Sequence, residues 1–184
     1  MPTVKISAKS ARQIFHGCEP EYIATVCKGA CCRSSAGPIL VTLLPREQQT
    51  FVARGYRVAD NLLEPGAKRC PFQNGGNLCS LHGSAIPGKP FGCIASPFML
   101  STKDTLIIRN RYRLLRCYKD GVLPAYRAFR ASLDLLFGDD EAARICALLD
   151  EGSGDFPAEM LADSYEALRW GDGAKKAEAA TRRG

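Results

Sequence analysis

Six cysteines fall between residues 27 and 93, in four separated pieces: Cys27-Lys28-Gly29-Ala30-Cys31-Cys32-Arg33, Cys70-Pro71-Phe72, Cys79-Ser80-Leu81-His82 and Pro90-Phe91-Gly92-Cys93. Two are adjacent and none sits in a long apolar run, so core packing does not account for them. Thiolate is the form of cysteine that binds soft metals, and a site needs several thiolates within about 2.3 Å of the ion. A chain built around such a site must fold so that these pieces converge. The expected ligands are Cys27, Cys31, Cys32, Cys70, Cys79 and Cys93. Gly29 lets the Cys27 to Cys31 loop curl around an ion. Cys31 and Cys32 project in different directions. Both bind only if the site bends sharply, if two metals share the region, or if a cluster presents several metal corners. Otherwise one of the pair is a buried or a reactive thiol.

A chain of 184 residues suits one domain with a core of its own, so metal is not needed merely to compensate for small size. The net charge of +6 is modest, and much of it sits at Arg109, Arg111, Arg113 and Arg116 and in the last ten residues. Such a run favours an acidic protein partner only weakly, and a solvated face is its commoner role. Apart from Tyr112 and Tyr118 no aromatic residues interleave with it, which argues against nucleic acid. Residues 1–7 contain no continuous apolar stretch, and no run is long enough to span a bilayer. The expected setting is cytoplasmic, with no membrane partner. There thiols stay reduced, and an odd count of nine cysteines points to metal or redox chemistry over structural disulfides.

Along the chain, residues 7–15 read as a short amphipathic helix with Ile14 and Phe15 inward. It leads to His16 and Cys18, which are read as a solvated imidazole and a loop thiol in preference to auxiliary ligands. Pro38 to Leu44 reads as a strand, and Pro45 opens a helix ending at Gly55, with Phe51 and Val52 in the core. Residues 56–66 read as a second short helix or a loop. Cys70 to Cys79 reads as a hairpin around Asn74-Gly75-Gly76, which would set Cys70 beside Cys79. His82, three residues beyond Cys79, has ligand spacing and stands equally as a surface residue. Residues 84–90 form a loop, and 98–100 and 106–108 a second hairpin. Arg109 to Tyr118 follows as strand or helix, with Cys117 near its end. Pro124 opens a helix with Tyr126, Phe129, Leu133 and Leu136 inward, and Gly138 stops it. Asp139 or Asp140 caps the next helix, whose apolar side holds Ile145, Cys146, Leu148 and Leu149, making Cys146 a core thiol. A third helix starts near Pro157, with Met160, Leu161, Tyr165 and Leu168 inward, and Trp170 closes it.

Gly29-Ala30-Cys31-Cys32-Arg33, Cys70-Pro71-Phe72, Cys79-x-x-His82 and Pro90-x-x-Cys93-x-x-x-Pro97-Phe98 together resemble the YkgJ-like, CxxCxxCC family of zinc- or iron-chelating proteins over roughly residues 25–100. The family's two earlier cysteines would fall at Thr25 and Lys28, and neither is a thiol. Cys27 is displaced by one position. This Cys-x-x-x-Cys-Cys arrangement is similar to the flagellin lysine N-methylase branch, whose members are implied to be iron–sulfur proteins transferring methyl groups from S-adenosylmethionine. A four-residue extension lies between Cys79 and Pro90. No Gly-rich strand-turn-helix motif, P-loop or Gly-x-Ser-x-Gly elbow is present.

The expected fold is α+β: a metal-centred, loop-rich N-terminal part with short β-hairpins, packed on three C-terminal helices. One domain is expected over 1–170, with the cluster at 18–100 and the helical part at 122–170, and 171–184 as a flexible tail. Three functions follow as expectations. The first is a metal-binding protein holding zinc, iron or a 4Fe–4S cluster. The second is an iron–sulfur-dependent protein lysine N-methyltransferase. The third is a zinc-stapled protein-interaction module.

Overall fold

The computed structural model of the chain describes residues 1–32, 41–63, 70–74, 78–81 and 88–169. The first strand, β1 (Thr3–Ile6), alternates strictly, with Val4 and Ile6 buried and Thr3 and Lys5 outside. Ser7 caps α1 (Ala8–Ala11), its hydroxyl accepting the Ser10 N–H. The chain then extends into β2 (Ile14–Phe15). The expected helix over 7–15 is therefore half helix and half strand. Phe15 is buried as expected, but Ile14 is 45% exposed, because neighbours on a strand face opposite ways.

A short helix, α2 (Pro20–Tyr22), runs into a π-turn at Ile23–Cys27, and a 3₁₀ turn follows at Ala30–Cys32. Then come β3 (Val41–Thr42) and α3 (Pro45–Ala53), with Pro45 at the first helical position and Gly55 in the left-handed region beyond its end. Phe51 is buried as expected, whereas Val52 is 55% exposed, since the single apolar stripe of α3 runs through Phe51. Instead of a helix or loop, residues 58–63 form a tight hairpin of β4 (Val58–Ala59) and β5 (Leu62–Leu63). Asp60 and Asn61 take the positive φ angles of 47° and 58° that its two-residue turn requires.

After α4 (Phe91–Ile94) the expected hairpin appears as β6 (Phe98–Leu100) and β7 (Thr105–Ile108). The Arg109 to Tyr118 stretch is neither one strand nor one helix but a 3₁₀ turn, Asn110–Leu114, followed by α5 (Arg116–Lys119). A short strand, β8 (Leu123–Pro124), pairs with β2. The helix from Pro124 is broken at Phe129 into α6 (Ala125–Ala128) and α7 (Arg130–Phe137), and Tyr126, Phe129, Leu133 and Leu136 are all buried.

Gly138, at φ 79°, ends α7 and occupies the cap of α8 (Asp139–Asp150). Asp139 and Asp140 are thus first-turn residues, not the cap, and face the positive end of the helix dipole. Arg12 donates to the Leu149 and Ser153 carbonyls, closing the other end of α8. Within α8, Ile145, Cys146 and Leu149 are buried and Leu148 is half-buried. Residues near Pro157 form β9 (Phe156–Glu159), and the last helix, α9, spans 162–169. Pro157 sits on an edge strand, where its missing N–H is tolerated. Met160 and Leu168 are buried and Tyr165 is half-buried as expected, but Leu161 is 36% exposed. Trp170, the 171–184 tail, Pro38 to Leu40, Gly75, Gly76, His82 and most of the 84–90 loop lie outside the described residues.

The fold is α+β, as expected, with small sheets and helices. The four-stranded sheet has the order β6-β7-β1-β9, with β1 parallel to β7 and antiparallel to β9. Its first-made strand is thereby locked between late ones. Its inner face and helices α7 and α8 build a large core that includes Val4, Ile6, Phe98, Leu106, Leu133 and Ile145. A smaller, separate core gathers Val41, Leu43, Phe51, Leu63 and Phe72 beside the sheet β3-β5-β4. The rings of Phe51, Tyr56 and Phe72 meet there at centroid separations of 5.0–5.9 Å.

The two cores join where α4 lies on β3. A Cβ at Gly92 would stand 2.8 Å from the Thr42 backbone nitrogen, so only glycine permits the approach. The Gly92→Ala variant is expected to lose about 1–3 kcal/mol of stability, the usual result of overpacking a close contact. Urea denaturation checks this, and a midpoint equal to wild type would contradict the contact.

Candidate metal centre

Each expected ligand comes from a short, separately anchored piece. Cys27 ends the π-turn, and Lys28 and Gly29 after it both have positive φ, 47° and 63°. Positive φ is unfavourable for a lysine. The π-turn fully buries none of its five residues, of which Cys27 packs half-buried on the large core. Its anchor is Tyr22, whose ring stacks on His16 at 3.7 Å and whose hydroxyl donates to Asp120 at the end of α5. His16 is thus half-buried and stacked, with Nδ1 3.0 Å from the Gly17 carbonyl, and is not the solvated ring expected.

Cys31 and Cys32, on the 3₁₀ turn, are half-buried with their sulfurs 3.8 Å apart. A tetrahedron of thiolates at about 2.3 Å from one ion has edges of about 3.8 Å. The adjacent pair therefore fits a shared ion without rearrangement. The two thiols share a hydrogen bond that pulls Cys31 down, helped by Arg111 and Lys89, and pushes Cys32 up.

Cys70 is buried in the small core, and Cys79 and Cys93 pack half-buried against it. The Cys70 to Cys79 hairpin does not have the expected register. Cys79 pairs with Gln73, while Cys70 stands outside the pairing in a turn whose carbonyl accepts the Gln73 N–H. The Asn74 side chain accepts the Leu78 N–H at 3.0 Å and takes up the turn, which shifts the pairing away from Cys70. The two thiols nonetheless remain within electrostatic reach of each other.

Cys93 is the most firmly held. The Glu47 carboxylate accepts the Leu44 N–H at 2.8 Å and the Phe91 N–H at 3.0 Å, tying the start of α4 to the start of α3. Burial raises the Glu47 pKa, and these donors oppose it. Ser132 donates to the Ile94 carbonyl at 2.6 Å on the other side. None of these positioning residues stands out by spacing in the sequence.

Among the remaining cysteines, Cys18 is exposed in a loop, as expected, and Cys146 is buried in α8. The Cys146 thiol lies 3.9 Å from the Tyr126 carbonyl. Cys117, which no motif marks, is buried in the large core within electrostatic reach of Cys27, Cys18 and Cys31. Lys89 lies near Cys18, Cys31 and Cys93, so positive charge faces the place where thiolates would gather. Among the described residues, no group of three or more Cys, His, Asp or Glu side chains stands at ligating separation. Cys27 and Cys31 pack on the large core, and Cys70, Cys79 and Cys93 on the small one. No helix among the described residues is long and apolar enough to cross a membrane. Compared with protein-family models, curated proteins and solved structures, the chain matches none.

Burial, and then the neighbouring thiols, push Cys93 and Cys117 up to about 12, and burial raises Cys70. A thiol in an unfolded chain ionises near about 8.5. Between those values the folded chain holds more protons than the unfolded one, so its stability falls as pH rises. As pH rises from about 8.5 toward 11, metal-free protein is expected to lose urea midpoint progressively. A midpoint flat across that range would contradict the burial of these thiols.

Proposed function

We propose that the chain is a thiolate metal-binding protein, taking zinc or iron, the latter as an ion or an iron–sulfur cluster, through Cys27, Cys31, Cys32, Cys70, Cys79 and Cys93. The observation that carries the reading is that the Cys31 and Cys32 sulfurs stand 3.8 Å apart, with Cys27 and Cys31 packed on the large core and Cys70, Cys79 and Cys93 on the small one. The left-handed Lys28 next to Cys27 gains a purpose if a ligand holds it. The resemblance of the cysteine motifs to the YkgJ-like family supports the same reading. When bound, the metal supplies cross-links between the cores worth on the order of 10 kcal/mol of folding free energy. Arg111 and Lys89 offset the negative charge that several thiolates bring to one centre.

The test is metal content and absorption on protein purified without oxygen, with zinc, iron and acid-labile sulfide counted on one sample. Cys31→Ser and Cys70→Ser are expected to lower bound metal per chain severalfold, whereas Cys146→Ala keeps the wild-type amount. Equal metal in all three variants, or none in the wild type, would overturn the assignment. A brown band near about 400 nm with equal iron and sulfide identifies a cluster. Colourless protein with stoichiometric zinc identifies a zinc site.

A further inference from the structure

We infer that the surface where the 3₁₀ turn Asn110–Leu114, α5 and the β2–β8 ribbon meet docks an acidic segment of another protein, one that carries apolar side chains between its carboxylates. This goes beyond metal binding and does not depend on it. Nine large hydrophobic side chains are exposed among the described residues, and five of them, Ile14, Leu114, Tyr118, Val122 and Leu123, come from these three pieces. Single apolar residues scattered over a surface are ordinary, whereas a concentration of them marks a place where something binds. The pieces touch. The His16 N–H donates to the Cys117 carbonyl at 2.7 Å and the Val122 N–H to the Phe15 carbonyl at 3.2 Å. A Cβ at Gly121 would stand 2.8 Å from Ile14 Cγ2, so the chain entering Val122 lies directly on the Ile14 side chain. The Tyr118 ring meets Phe15 edge-on at 5.3 Å, and Arg113 donates to the Gln13 side chain at 3.2 Å. Phe15 beneath them is fully buried, yet Leu114 is 80% and Val122 68% exposed.

Charge decides what the occupant is. Residues 109–125 hold five basic side chains and a single carboxylate, Asp120. That carboxylate is already engaged, accepting from Arg116 at 2.7 Å and from the Tyr22 hydroxyl at 3.1 Å. Arg113 and Lys119 are exposed, and no ion pair among the described residues takes them up. Their charge is complementary to carboxylates on a partner, which would steer the encounter, while the apolar side chains between them would supply affinity on contact. Nucleic acid fits this surface less well. Phosphates would leave Leu114 and Val122 idle, and bases stack on open aromatic rings, whereas Tyr112 is buried and the Tyr118 ring is set against Phe15. A membrane surface fits less well too, because interfacial anchoring uses an apolar face running along a helix. Here α5 has only four residues, and Leu114 and Val122 lie beyond its two ends.

The test is fluorescence anisotropy of a fluorescein-labelled peptide of glutamate-glutamate-leucine repeats, titrated with the full chain as purified. Wild type is expected to bind it, and to bind the same peptide with serine in place of leucine about tenfold more weakly. The double variant Leu114→Ser with Val122→Ser, and separately Arg113→Gln with Lys119→Gln, are each expected to weaken binding about tenfold. Lys103→Gln, on the turn between β6 and β7, keeps the wild-type affinity. All these positions are exposed, so the variants are expected to keep the wild-type metal content and urea midpoint, and a failure here leaves the metal-binding reading untouched. No binding by wild type overturns the proposal. So does binding that the charge variant abolishes but that neither serine substitution, in peptide or protein, alters. Tighter binding of oligouridylate or of phosphatidylserine vesicles, lost in the same variants, overturns the protein occupant.

Discussion

The contact between two hydrophobic cores, where α4 lies on β3, is the constraint on which the rest of the structure depends. Each core is apolar and closed on its own terms: the large one between a four-stranded sheet and its helices, the small one around three aromatic rings. Among the described residues their junction includes the Gly92 approach to Thr42 and the Glu47 carboxylate shared by the starts of α3 and α4. Hydrophobic burial stabilises each side. A metal held by thiolates from both sides would add a further cross-link.

This organisation explains why the cysteines sit on turns and short helices. A thiolate ligand must point at a site that is shared with other segments, and a long regular element would aim only one or two residues at it. The π-turn, the 3₁₀ turn, the Cys70 turn and the one-turn α4 each deliver one or two sulfurs and then reverse or leave. Rigidity comes from outside these pieces. Tyr22, Asp120, Glu47 and Ser132 hold them by hydrogen bonds to groups far away in sequence. The buried Cys93 and Cys117 thiols, raised by burial, stay protonated in the metal-free chain, so metal uptake there would also release protons.

The parts of the fold legible in the sequence were those set by local chemistry. Pro45 and Gly55 bound α3, Gly138 separates α7 from α8, and the Ser101-Thr102-Lys103-Asp104 turn joins β6 to β7. The β4 and β5 hairpin was read instead as a short helix or a loop, because its Asp60-Asn61 turn lacks the glycine of the strong two-residue turn signals. Ile14, Val52 and Leu161 were placed inward because their hydrophobicity was read without the face that their neighbours impose. The register of the Cys70 to Cys79 hairpin depends on the Asn74 side chain, a competition that spacing alone does not resolve.

By itself the sequence determined the donor chemistry: many thiols, grouped by glycine and proline turns and set beside basic residues, in a chain large enough to form a core without them. Donor type and local turn formation depend only on residue identity and near neighbours. Which thiols face one another was decided by tertiary structure alone. Cys117 reaches Cys27 because Tyr22 bonds to Asp120, and β1 lies between β7 and β9 because its two apolar residues complete a core built from the far end of the chain. Such pairings depend on burial and hydrogen bonds between segments about a hundred residues apart, and no local pattern encodes them.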